Sequence, residues 1–200
     1  MFQASWAGID VENMNGQMKA LSNALANIRL DVPIPPEDTN GRGKDRSVFM
    51  DLYSGMCRWH MANFGSTQNQ LAAIASKNHF HSSLNPYAQF QKEMSIEEIL
   101  NARVVSWPLT VPMCAPTGDG AAAAILCSSD FLTRVKNTRP VKILASVLAS
   151  GTNRSIEDKS QDIAVRLSRQ AYETAGVGPG DINLAEVHDA TAYGELHQSE

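Results

Sequence analysis

Apolar side chains recur every three or four residues along the first part of the chain. Met14, Met18, Leu21, Leu25 and Ile28 predict a helix within residues 10–30. Residues 32–46 (VPIPPEDTNGRGKDR) mix prolines, glycines and charges and read as a loop. Phe49, Leu52, Tyr53 and Met56 then share one face and predict a helix over about 47–60. Thr67 and Gln70 form a capping-box pattern ahead of Leu71, Ile74 and Ala75. That helix is expected to end near Lys77-Asn78, with residues 79–93 as loop up to and beyond Asn85-Pro86. Ser95 and Glu98 repeat the capping box before a short helix carrying Ile99 and Leu100.

The pattern changes after Arg103. Val104-Val105 reads as a short strand ended by Trp107-Pro108. Residues 121–127 (AAAAILC) and 141–150 (VKILASVLAS) are apolar runs that suit strands covered on both faces. Ile163, Ala164, Leu167, Ala171 and Ala175 line one stripe of a helix over 162–175, stopped by Gly176. Residues 182–187 follow as a strand, with His188-Asp189 at its C-terminal end. Strand, helix, strand predicts a βαβ unit, so the expected class is α/β, with helices and loops leading and strands following. Functional groups in such sheets gather at the C-terminal ends of the strands, where His188 falls.

Composition narrows the function classes. The 200 residues are 43% hydrophobic and 19% charged, too apolar for a disordered chain and somewhat sparse in charge. The net charge of −4 offers no global field for nucleic acid. No apolar run reaches the roughly 18 residues a membrane helix needs, so no membrane partner is expected. Residues 1–18 lack a basic segment followed by an apolar one, and Cys57, Cys114 and Cys127 form no CxxC pair. A reducing, cytoplasmic setting is the expectation. Phe2, Trp6 and Ile9 have no earlier element to pack on, and residues 190–200 read as the start of a helix without a stop signal. The sequence is therefore expected to be a piece of a longer protein.

His188 follows an apolar segment, is flanked by Asp189 and could donate a hydrogen bond to a developing oxyanion; the plain alternative is a histidine bonded to a nearby carbonyl. His79-x-His81 would face one side of an extended segment, but no third ligand accompanies the pair, so no metal is expected. Cys127 reads as core, Cys57 sits on a helical face, Cys114 precedes Ala115-Pro116 in a loop, and none lies in a nucleophile motif. Gly118-Asp119-Gly120 is neither a P-loop nor a dinucleotide fingerprint.

Several segments together resemble one family. They are residues 59–70 (WHMANFGSTQNQ), 71–85 (LAAIASKNHFHSSLN) with Pro86-x-Ala88-Gln89, 114–124 (CAPTGDGAAAA) and 186–191 (EVHDAT). Their order and spacing resemble the thiolase superfamily, in particular its sterol-carrier/lipid-transfer type. The resemblance implies two similar α/β halves in a layered αβαβα body, with a helical loop domain interrupting the first. It assigns residues 1–130 to the end of the N-terminal half, including the loop domain over about 1–102. Residues 131–200 become the start of the C-terminal half.

The family runs its chemistry on a nucleophilic cysteine, a GHP histidine and a second cysteine, which the resemblance locates before Met1 and after Glu200. Cys57, Cys114 and Cys127 match none of them, so the chain alone is expected to be inert. His188-Asp189-Ala190-Thr191 matches the family's NEAF position. The resemblance thus implies that His188 is an oxyanion-hole donor supported by Asp189, with Thr191 where the family carries an aromatic residue. His60-Met61 resembles a pair lying against the CoA pantetheine, and Ala115-Pro116 replaces a Ser-Gly near the CoA. The implied activity is acyl transfer between CoA thioesters, or thiolysis of a 3-oxoacyl-CoA. A CoA thioester is the substrate, no cofactor is covalently bound, and the assembly is a homodimer or tetramer. Two alternatives stay open: a retro-aldolase on steroid side-chain CoA esters working with an OB-fold partner, and a non-catalytic lipid- or acyl-CoA-binding module.

Overall fold

The structure, a computed structural model, describes residues 48–136, 139–152, 154 and 158–200. The helix expected over 10–30 and the loop over 32–46 lie outside the described residues. The described chain forms two compact units, residues 48–118 with 187–200 and residues 119–186.

The first unit is helical, with one small hairpin. Helix α1 (Val48–Phe64) runs one turn beyond the predicted end. It stops where Gly65 adopts φ +73°, which a side chain would strain, and the Gly65 N–H bonds the Met61 carbonyl at 3.0 Å. Helix α2 (Gln68–Ser83) begins with the predicted reciprocal box: Thr67 caps Gln70, and the Gln70 side chain returns to the Thr67 N–H. It continues past Lys77-Asn78 through residues 79–83, which the sequence had suggested as loop. No Gly or Pro interrupts HFHSS, and the turn comes only at Asn85-Pro86, where proline disfavours helix in the preceding residue. Helix α3 (Ile96–Leu100) carries the second capping box, Ser95 with Glu98.

Strand β1 (Val104–Ser106) pairs antiparallel with β2 (Leu109–Thr110), and a 3₁₀ turn, Val111–Met113, follows. The chain re-enters this unit at residue 187 and ends in α6 (Ala192–Ser199), so the helix predicted after residue 190 forms. The core gathers Cys57 from α1, Leu71, Ala72 and Ala75 from α2, Ile99, Leu109, Met113, and Ala192 and Tyr193 from α6. Fully burying a leucine- or isoleucine-sized side chain contributes about 1.5–3 kcal/mol each, and Leu71, Ile99 and Leu109 are fully buried. The Thr110 hydroxyl, also buried, donates to the Ile99 carbonyl at 2.9 Å and so satisfies a polar group inside this core.

The second unit holds α4 (Ser129–Leu132) and α5 (Ile163–Ala175). Asp162 caps α5 through the Ala164 N–H and is ion-paired with Arg154, and Gly176 closes the helix at φ +69°. The predicted helix is therefore present. The predicted strands are not: residues 121–127, 141–150 and 182–187 have no ladder partner among the described residues, and no βαβ unit forms there. A strand is defined by its neighbour's hydrogen bonds, which an apolar run cannot supply alone. Cys127, expected in the core, is consequently exposed.

Candidate functional site

The site is built where residues 187–192 return onto α2 and the segment after the hairpin. Cys114 pairs with Thr191 in an isolated antiparallel bridge, and the Ala115 N–H donates to the Ala190 carbonyl at 3.0 Å. Thr191 is fully buried and caps α6 through the Gly194 N–H. Its small hydroxyl therefore serves the helix start, where a larger aromatic side chain would leave that N–H without this cap.

Asp189 is held from α2. Asn78 Nδ2 donates to Asp189 Oδ2 at 3.1 Å and to Glu195 Oε2 at 2.9 Å, and Lys77 bonds the other oxygen of Glu195. Burial pushes the Asp189 carboxyl above its ordinary pKa. The nearby Glu195 charge adds to that, while hydrogen bonding to its own backbone, His188 and Lys77 pull the other way.

Beside this network lies a cavity of about 740 Å³. Ala75, Asn78, His79 and Ser82 of α2 form one wall. Phe90, Met94, Val105, Val111 and Met113 are among its apolar residues, Gln89 and Arg103 add polar groups, and Cys114, Ala115, Pro116, Asp189 and Ala192 also line it. The structure thus brings together Asp189, Ala115 and Pro116, with His79 and Cys114, of the residues singled out in the sequence. His188, one residue from the lining, is exposed.

His60 and Met61 do not border this cavity. His60 is buried, with Nδ1 2.9 Å from Ser66 Oγ and Nε2 2.8 Å from Glu200 Oε2. A carboxylate only accepts, so Nε2 carries the proton in the Glu200 bond and Nδ1 can accept from the serine hydroxyl. The ring also meets Phe64 and Tyr193, so His60 ties α1 to α6. Met61 packs on the core.

His79 and His81 fall on helix α2 rather than an extended segment, so two residues of separation turn them to different sides. His79 Nδ1 lies 3.2 Å from the Lys92 carbonyl. Among the described residues, no three His, Cys, Asp or Glu side chains are grouped to hold a metal ion. Burial pushes the Cys57 thiol up to about 12, against the opposing charge of Arg58, and the Cys114 thiol up to about 11. Both shifts oppose thiolate formation, which a nucleophile needs. No described helix is long and apolar enough to cross a membrane.

Sequence reasoning missed three residues here. Asn78 had suggested only a helix end. Gly194 packs against the 188–189 backbone: a Cβ there would stand 3.1 Å from the His188 carbonyl oxygen. Gln198 bonds that same backbone. Only the KNH run around Asn78 carried a signal, and it lay in the family resemblance rather than in any local pattern.

No family model matches the chain. Among curated proteins, it is 36% identical over 191 residues to benzoylsuccinyl-CoA thiolase subunit BbsB of Thauera aromatica, covering 94% of this chain and 47% of that protein. It is 41% identical over 146 residues to an acetyl-CoA acetyltransferase of Methanothermobacter thermautotrophicus, covering 71% and 38%. It is 42% identical over 157 residues to sterol carrier protein 2 of Bos taurus, covering 74% and 29%. The chain spans less than half the length of these relatives. With relatives of both the thiolase and the sterol-carrier kind matched along most of its length, the chain belongs to the thiolase superfamily, of the sterol-carrier/lipid-transfer type.

Proposed function

We propose that the protein containing this chain is a thiolase-type acyltransferase acting on CoA thioesters, and that this chain supplies an acyl-pocket wall and an oxyanion donor. The observation that carries the reading is the return of residues 188–191 beside the apolar cavity, with Asp189 in its lining and His188 free to face a substrate. The names of the relatives support the CoA-thioester class.

Attack on a thioester carbonyl moves negative charge onto the carbonyl oxygen. A donor aimed at that oxygen strengthens as the charge develops, so it lowers the barrier more than it tightens substrate binding. The His188 imidazole N–H takes that role, and Asp189, anchored to Asn78, holds the turn that bears it. Ala115 and Pro116 border the thioester, and the apolar wall of Phe90, Met94, Val105 and Met113 receives the acyl group. His60 and Met61 act through packing. The raised thiols of Cys57 and Cys114 favour a nucleophile drawn from sequence outside these residues.

The cavity's apolar lining also favours a second reading, a lipid- or acyl-CoA-binding module. Incubation of the protein with a 3-oxoacyl-CoA and free CoA separates the readings. Acyl transfer consumes CoA and yields acetyl-CoA with a shortened acyl-CoA. Saturable binding without turnover would support the module instead. Carbon–carbon cleavage of a 3-hydroxyacyl ester that consumes no CoA would support the retro-aldolase alternative with its OB-fold partner.

A further inference from the structure

We infer that Gln198 is a positioning residue for His188. The inference rests on the oxyanion reading for its catalytic consequence, but its structural content stands on geometry alone.

Gly194 and Gln198 lie one turn apart on the same face of α6, and the His188–Asp189 backbone packs along that face. Gly194 makes the approach possible, because any side chain there would press on the His188 carbonyl oxygen at 3.1 Å. Gln198 then closes the groove with both ends of its carboxamide. Its Nε2 donates to the His188 carbonyl at 2.7 Å and to the Gly194 carbonyl at 3.0 Å. Its Oε1 accepts from the His188 N–H at 3.4 Å.

One side chain thus satisfies the donor and the acceptor of the same peptide residue, as a neighbouring strand would. Asn78 of α2 holds the following residue through the Asp189 carboxylate. These bonds of Gln198 engage the His188 peptide rather than its ring nitrogens, so the amide sets where the ring originates and leaves those nitrogens for a ligand. The glutamine carboxamide carries a neutral donor and a neutral acceptor on one carbon, which suits a single peptide residue.

Gln198→Met keeps the stem and removes both hydrogen-bonding ends. Two measurements on the protein containing this chain test it. The first is amide hydrogen exchange at His188, which needs no activity. Losing this bond is expected to speed exchange about fivefold to tenfold with the helical signal unchanged. The second is a double-mutant cycle with His188→Ala on acyl transfer. Gln198→Met alone is expected to lower kcat about tenfold with KM unchanged, because displaced catalytic groups lose rate rather than binding. It is expected to have no further effect once His188 is alanine. Unchanged His188 exchange would overturn the clamp. An equal loss of kcat in both backgrounds would overturn the positioning role. If His188→Ala itself leaves turnover intact, the oxyanion reading fails while the exchange result still decides the clamp.

Discussion

Leu71 and Leu109 in the unit formed by residues 48–118 and 187–200 are fully buried, whereas Ile125 and Leu148 in residues 119–186 are 92% and 95% exposed. The difference lies in how each element is satisfied. In the first unit α1, α2, α3 and α6 close their hydrogen bonds internally and bury one another's apolar faces. In the second, α5 forms with its cap and its glycine stop, yet buries no residue, and the apolar runs around it have no ladder partner among the described residues. A helix needs only its own sequence to form its bonds; a strand needs another strand. The candidate site lies in the unit that is packed.

This contrast yields a large expected effect and a small one. Leu71→Ala removes a fully buried side chain from α2 and is expected to cost about 2–5 kcal/mol. Leu148→Ala is expected to stay within about 0.5 kcal/mol, as exposed substitutions do. Urea midpoints of the two variants compare them directly. Equal losses would mean that Leu148 is packed in solution and that the two units are alike.

The smaller effect concerns Asp189, a half-buried carboxylate of the packed unit. Its folded-state pKa is raised by burial, so protonation is favoured by folding. The associated stability is fully present below the ordinary carboxylate pKa and is lost as pH rises through the raised value. Asp189→Asn removes that loss while keeping an acceptor for Asn78. The variant is therefore expected to gain stability relative to the native chain at neutral pH, and the gain is expected to vanish in acid. Melting temperatures across the carboxylate range would show it. A difference independent of pH would mean that Asp189 is ionised as freely as in water.

Much of the packed unit was legible because its signals are local. Thr67 with Gln70 and Ser95 with Glu98 fix helix starts through side chains three residues apart, and in the other unit Gly176 likewise fixes the stop of α5 through its own φ. Val104-Val105 was readable as a strand, and its partner lies only a turn away. The end of α2 was misplaced because HFHSS contains no breaker, so the helix runs on to the next real one, Asn85-Pro86. Cys127 was misplaced for the opposite reason: its apolar run signals a covered strand but does not name the cover.

The site divides the same way. Asp189, Ala115 and Pro116 were placed by motif and do meet at one cavity. His60 was drawn to CoA by its resemblance, while its bonds to Ser66 and Glu200 hold it within the unit. Asn78, Gly194 and Gln198 act across turns and elements, through a carboxylate, a missing Cβ and a peptide respectively. No sequence period announces such contacts.

The most direct measurement is kcat for acyl transfer from a CoA thioester by the His188→Ala variant of the protein containing this chain. Loss of an oxyanion donor predicts a fall on the order of 10²–10³ with KM little changed. A fall of less than about tenfold, well short of what such a donor supplies, would contradict the role given to His188.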